Sequence, residues 1–225
     1  MIVVPEQRSV ESPYVTWIGH GYTAADGLTM SPAEYNWHLI FTRQAGHLSI
    51  LVVGAREAAR PLRYTADAES LWIRFNVGSS MPHLPAPDLL NREIRLPEAS
   101  GSHFWLKNQV WEVPNFQNAD IFVDRLVRAG ALTFDPVIDA ALRDELAGAS
   151  DRTIRHHFQH STGLRQMDIR QMQRAERARE LLHHGKSIID TAHELGYADQ
   201  PHLTRSLKRF LGYTPRELLA LPAAI

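Results

Sequence analysis

The 225-residue sequence contains no cysteine. That absence excludes a disulfide framework, thiolate zinc sites and cysteine nucleophiles together. It also has no uninterrupted apolar run of membrane-spanning length, so no transmembrane helix is expected. The first residues lack the basic and apolar regions of a secretory signal, so a soluble, cytoplasmic protein is expected. An excess of one charge sign is missing as well: 24 Lys and Arg stand against 25 Asp and Glu, for a net charge of −1. No global basic field marks a nucleic-acid binder, and no acidic excess marks disorder. Phosphate-binding loops and G-x-S-x-G elbows are absent too.

The near-zero charge is an average over unlike halves. Residues 1–130 carry 11 Lys and Arg against 13 Asp and Glu, whereas residues 150–216 carry 12 against 7. All five tryptophans (Trp17, Trp37, Trp72, Trp105 and Trp111) lie in the first half. There, short apolar stretches near residues 37–41, 48–53 and 71–77 are separated by turn-forming clusters around Gly46, Gly54 and Gly78. Leu71, Ile73, Phe75 and Val77 alternate with Trp72, Arg74 and Asn76, the period of a half-buried strand. The pattern predicts a small barrel or a sandwich. From Asn115 the period changes. Phe116, Ala119, Ile121, Phe122, Leu126 and Val127 predict a helix that leaves the β region and ends at Gly130.

Beyond that point the chain reads as helical. Ser187, with Asp190 three residues on, starts a short helix, and Gly196 permits the left-handed turn that ends it. Asp199 is the next N-cap, Pro201 fits a first turn, and Leu203, Leu207 and Phe210 share one face up to Gly212. Thr214, Pro215 and Glu217 cap a last short helix. Two short helices around a glycine turn, the second opening with polar residues, have the form of a helix-turn-helix. Residues 149–163 repeat the design: Ser150 answers Asp199, Ile154 answers Leu203, Phe158 answers Leu207 and Gly163 answers Gly212. A helix from Pro136 to Leu146 precedes this copy. Between the copies an amphipathic helix near residues 167–185 buries Met172, Ala175, Ala178 and Leu182. At 1.5 Å per residue it spans about 27 Å, close to the repeat of successive major grooves.

These residues carry a resemblance. Ala192, Glu194, Gly196, Tyr197, Asp199, Gln200, His202, Arg205, Lys208, Arg209, Gly212, Thr214 and Pro215, with the upstream copy, resemble the C-terminal module of the AraC/XylS family of bacterial transcription regulators. The match covers roughly residues 140–219. It implies an α+β protein: a cupin-like β-barrel that senses or dimerises over residues 1–113, a linker helix over 114–130, and an all-α double helix-turn-helix DNA-binding domain over 131–225. The implied partners are double-stranded DNA, RNA polymerase, a small-molecule effector and a second copy of the chain, with no membrane. By position, the resemblance places Arg152, Arg155, His156, Gln200, Pro201, His202 and Arg205 on base edges and Thr204 and Lys208 on phosphates. Arg209, Arg174 and Arg177 are further cations for the backbone.

For the first half, two readings stay open. Trp37, Trp72 and Trp105 line an effector pocket with Arg74 or His38 as its polar anchor, or they fill a β core. His20, His38, His47, His83 and His103 form no H-x-H pair, so no metal, no cofactor and no enzymatic activity are expected. The rival readings are a cupin-type metal enzyme carrying a helical targeting module, a constitutive regulator without effector, and a helical adaptor. Activation and repression are equally compatible with the sequence.

Overall fold

The computed structural model describes residues 2–146 and 150–221, with side chains from Glu6 onward. Ala149, at the head of the upstream repeat, and residues 222–225 lie outside the described residues. The chain divides into two compact units: Met1–Leu28, Asn36–Ala55 and Arg63–Arg165 form one, and Thr29–Tyr35, Arg56–Leu62 and Gln166–Ile225 the other.

The first unit is built on a six-stranded antiparallel sheet. Its order is β1 (Ile2–Ser9), β2 (Val15–Thr23), β7 (Ala68–Phe75), β4 (His38–Gln44), β5 (His47–Val53) and β9 (Glu93–Leu96). Ala45 and Gly46, both at positive φ, make the two-residue turn joining β4 to β5. The alternation read in β7 holds: Leu71, Ile73 and Phe75 are buried, and Trp72 and Arg74 lie half-buried on the opposite face. In register with them are Phe41 opposite Leu71 and Leu39 opposite Ile73.

The expected closed barrel is not formed; the sheets are open. Among the described residues no ladder joins β1 to β9, because the remaining strands pair elsewhere. The strands β10 (Glu98–Ser100), β11 (His103–Leu106) and β12 (Gln109–Glu112) make their own three-stranded sheet, while β3 (Gly27–Ser31) pairs only with β6 (Arg60–Tyr64). Pro5, which has no N–H to donate, falls where the β1–β2 register shifts between Val3 and Glu6.

The buried face of the large sheet is covered by β11, β12 and α2 (Ala119–Arg128). Phe122 of α2 sits with ring centroids 6.0 Å from Phe41, 6.1 Å from Phe104 and 6.0 Å from Trp111. The helix starts four residues later than its apolar spacing predicts. The Asn115 side chain accepts from the N–H groups of Gln117 and Asn118, both at 3.0 Å, and holds a turn there instead. Ile121, expected on the apolar stripe, faces out.

After Gly130 the buried Ala131 and Leu132 lead into β13 (Thr133–Phe134), which pairs with β8 (Ser79–Ser80). Asp135 then caps α3 (Pro136–Leu142), and α4 (Asp151–Thr162) follows. A Cβ on Gly163 would meet the carbonyl oxygen of Ala86 at 3.0 Å, so the end of α4 lies against α1 (Ala86–Leu89).

The second unit gathers α5 (Gln166–His183), α6 (Ile188–Glu194), α7 (Gln200–Leu211) and α8 (Pro215–Ala220) with two segments from the β half. Backbone N–H groups of Ala33 and Ala59 donate to the carbonyls of Phe210 (2.7 Å) and Arg209 (2.8 Å). They satisfy acceptors in the last turn of α7 that have no partner within the helix. As expected, α5 buries Met172, Ala175, Ala178 and Leu182, joined by Ile169.

Truncating Phe122 to alanine should cost about 3–5 kcal/mol, read from the urea unfolding midpoint of the chain. A second expectation concerns His83, in the loop between β8 and α1. Both its ring nitrogens are buried without a hydrogen-bond partner among the described residues. Burial, and then the Lys107 charge, lower its pKa below 6.5. The unfolded chain therefore takes up a proton that the folded chain refuses. Stability on this account should be complete above pH 6.5 and decline as pH falls below it. The stability difference between wild type and His83→Leu, read from unfolding midpoints, should be constant above pH 6.5 and shift against the wild type as pH falls below it if His83 carries the effect.

Candidate DNA-reading surface

Two helices of twelve residues, α4 and α7, carry the sequence-derived base-reading set. Their ends are built alike. Ser150 Oγ accepts from the Thr153 N–H at 3.2 Å, and Asp199 Oδ1 accepts from the His202 N–H at 2.6 Å. Gly163 and Gly212 end the two helices in the left-handed conformation, at φ 73° and 83°. Both copies thus have the N-cap, the apolar pair four apart and the terminal glycine read from the repeat.

On α4, Phe158 is buried and Arg152, Arg155 and His156 are exposed. The adjacent histidines separate. His157 turns inward, its Nδ1 2.6 Å from Asp135 Oδ2, which also accepts from Ser161 Oγ at 3.1 Å. The other Asp135 oxygen accepts from the Val137 N–H at 3.1 Å. One carboxylate therefore caps α3 and holds α4, a role for which no local pattern singled Asp135 out.

On α7, Leu203, Leu207 and Phe210 are buried, while Gln200, Pro201, Arg205, Lys208 and Arg209 are exposed. His202 and Thr204 are half-buried, and the Thr204 hydroxyl donates to the Gln200 carbonyl at 3.0 Å, within its own helix. Exposed Arg and Gln side chains on a first turn present donors and acceptors of the kind that match base edges, and Lys208 and Arg209 present charge. The α5 cations differ from one another. Arg177 is exposed and paired with Glu180 at 2.8 Å, whereas the Arg174 guanidinium lies over the Tyr197 ring at 4.3 Å. Tyr197 is buried in the turn between α6 and α7; it stands among the residues that carry the resemblance but was given no role at the site. Below α7, the Thr214 N–H and hydroxyl bind Glu217 in a capping box, and those bonds, with Lys208 nearby, hold the Glu217 carboxyl below its usual range.

The four residues considered for an effector do not converge. Trp37 is a core residue, stacked on Phe75 at 3.8 Å with its indole N–H donating to the Ser79 carbonyl at 2.7 Å. Trp72 and Arg74 lie on the other face of the sheet, where Arg74 donates to Asn36 Oδ1 at 3.1 Å. Trp105 is exposed on the three-stranded sheet, opposite Val110. His38 is half-buried, its ring edge-on to Trp17.

A cavity of about 360 Å³ lies elsewhere in the first unit, where strand ends pass from Phe41, Leu48 and Leu71 to His20, Arg43 and Glu69. Residues 113–117 roof it. His20 sits between Glu69 (2.8 Å) and Glu6 (3.6 Å). Arg8 ties the roof to α2 by donating to the Phe116 carbonyl and to Asp120, both at 3.0 Å. Burial works to raise the Asp120 carboxyl, but the Arg8 hydrogen bond and the backbone N–H groups of Asp120 and Ile121 outweigh it and hold its pKa low. Among the described residues, no group of three or more His, Asp or Glu is placed to hold a metal ion. No described helix is long and apolar enough to cross a membrane.

Residues 145–220 match a family described as a helix-turn-helix domain. Over 89 residues, 39% of the chain, the sequence is 36% identical to the HTH-type transcriptional regulator RipA of Corynebacterium glutamicum, of which the match spans 27%. A crystal structure of an apo ToxT variant from Vibrio cholerae aligns over 95% of this chain and 99% of that one, at 8% identity. Its TM-score of 0.41 is too low for the likeness to bear on the fold.

Removing the cap of α7 by Asp199→Ala should cost about 1 kcal/mol of stability. Amide exchange should locate the loss in the first turn of α7, and protection of the β4–β5 hairpin should not change.

Proposed function

We infer that this chain, an AraC-type protein by its C-terminal helix-turn-helix domain, is a one-component, sequence-specific DNA-binding transcription regulator. The observation that carries this reading is the twin construction of α4 and α7. Two capped helices of equal length each present exposed arginine and further polar side chains beside an apolar pair four residues apart, half-buried Ile154 with buried Phe158 on α4 and buried Leu203 with Leu207 on α7. Arg152, Arg155 and His156 read one major-groove segment, and Gln200, Pro201, His202 and Arg205 read another. Lys208 and Arg209 neutralise phosphates, with Arg177 available once it leaves Glu180. Thr204 and Arg174 are less suited to that role, because each is engaged within the protein.

The activity is binding rather than catalysis, and its place is the cytoplasm, where the DNA and RNA polymerase it serves are found. Residues 1–113 act as the sensing or dimerising part, 114–130 as the connection and 131–225 as the reading part. A small effector fits the cavity beneath residues 113–117, whose size falls in the range of small-molecule sites. Such a ligand alters DNA affinity only so far as it binds two arrangements of the protein unequally.

Selection of bound sites from random DNA should yield an asymmetric site of two blocks about one helical turn apart. Against that site, Arg205→Ala should weaken binding by about 1–3 kcal/mol and relax base preference within one block only. Equal loss on all sequences would make Arg205 a phosphate contact. Binding that does not respond to salt would remove DNA as the partner.

A further inference from the structure

We propose that His202 reads DNA as a hydrogen-bond donor through Nε2, onto a major-groove acceptor, and that Tyr197 and Arg174 are positioning residues that hold its ring for this purpose. The proposal rests on the DNA-reading role of α7 and gives one of its residues a definite chemistry.

An imidazole has two faces to offer a base. A neutral histidine can donate from one nitrogen and accept at the other, and which does which depends on what the inner nitrogen meets. Here the Ala198 backbone N–H points at Nδ1, at 3.4 Å. A donor there requires a lone pair on Nδ1, so the ring proton of the neutral form resides on Nε2. The backbone of the same residue is fixed independently, its N–H bound to Asp199 at 2.6 Å.

The ring itself is held by a stack that reaches across three elements. Tyr197 meets His202 edge to face, with centroids 5.2 Å apart and planes at 89°. The Tyr197 hydroxyl reaches Ser206 on the next turn of α7 at 3.2 Å, and Arg174 of α5 lies over the Tyr197 ring. Among the described residues Arg174 Nε, which is buried, has no hydrogen-bond partner, in keeping with the stacked position of its guanidinium. An arginine drawn into such a stack is poorly placed to reach a phosphate; its effect on DNA passes through Tyr197 and His202.

A single donor in the major groove matches purine N7, guanine O6 or thymine O4, and it opposes the amino group of cytosine. His202 is thereby a discriminating residue against cytosine at its position, distinct from Arg205, which offers a fork of donors.

The test pairs protein variants with modified DNA. In the selected site, each base of the block read by α7 is replaced in turn by an analogue lacking one acceptor: a 7-deazapurine, 2-aminopurine or 5-methyl-2-pyrimidinone. One replacement should weaken wild-type binding roughly threefold to tenfold and leave His202→Ala unaffected. Tyr197→Leu should lose this coupling and keep that of Arg205, and Tyr197→Phe, which retains the ring, should restore it. Arg174→Met should reduce it without changing the salt slope. In the free protein, nitrogen NMR of the neutral His202 ring should show the proton on Nε2, a readout that needs no DNA. A proton on Nδ1, coupling to a cytosine, or a selected site with no base coupled to His202 would overturn the proposal alone. Failure to select any sequence would overturn the DNA-reading role beneath it, whatever the ring's tautomer.

Discussion

An antiparallel sheet can bury one face only if something covers it, and in this chain the cover is aromatic. Phe41 projects from the sheet into Phe104 of β11 (5.4 Å) and Phe122 of α2, with Trp111 closing the group. Rings meeting at steep angles fill this space and favour particular orientations beyond their area burial. The placement of α2 has consequences down the chain. Where α2 ends, Ala131 and Leu132 must be buried, β13 must meet β8, and Asp135 arrives at a fixed point to cap α3 and hold α4. Helix α4 is therefore in register with the β half through consecutive elements, each constrained by the one before it.

Much of this was legible in residue patterns, and what was not has physical causes. The faces of β7, the caps at Ser150, Ser187, Asp199 and Thr214, and the left-handed glycines follow from local rules, because each depends on neighbours a few residues away. Barrel closure depends on which strands pair across the chain, and a period of two says which face is buried without saying who sits alongside. The separate sheet of β10–β12 is a pairing of that kind, set by which strands meet rather than by a local pattern. The late start of α2 came from Asn115, whose side chain competes for the backbone at the point where apolar spacing alone predicts helix.

At the candidate site the same distinction applies. Arg174 and Arg177 are three residues apart on one amphipathic helix and read alike, yet one stacks on Tyr197 and the other meets Glu180. Nothing local separates them, because the difference is made by Tyr197, which the fold brings to α5 from the α6–α7 turn. His156 and His157 were separable, since adjacent helical residues point about 100° apart. Which of the two faces inward was settled by Asp135, more than twenty residues earlier. The tryptophans proved the least informative signal. Trp37, Trp72 and Trp105 share a composition bias but occupy the core, the opposite face of the sheet and an exposed strand.

The helices α4 and α7 end up supported by different parts of the same β half. The segment around Ala86 backs the end of α4 in one unit, and the backbone of Ala33 and Ala59 closes the last turn of α7 in the other. These supports matter more here than in a strongly basic protein. With a net charge of −1 over the chain and an excess of five positive charges over residues 150–216, attraction to any DNA is modest. Under the proposed DNA-reading role, affinity comes from both helices meeting their grooves together, which multiplies two weak contacts only if each is presented in order. A change in the β half that loosens either support removes one contact from that product.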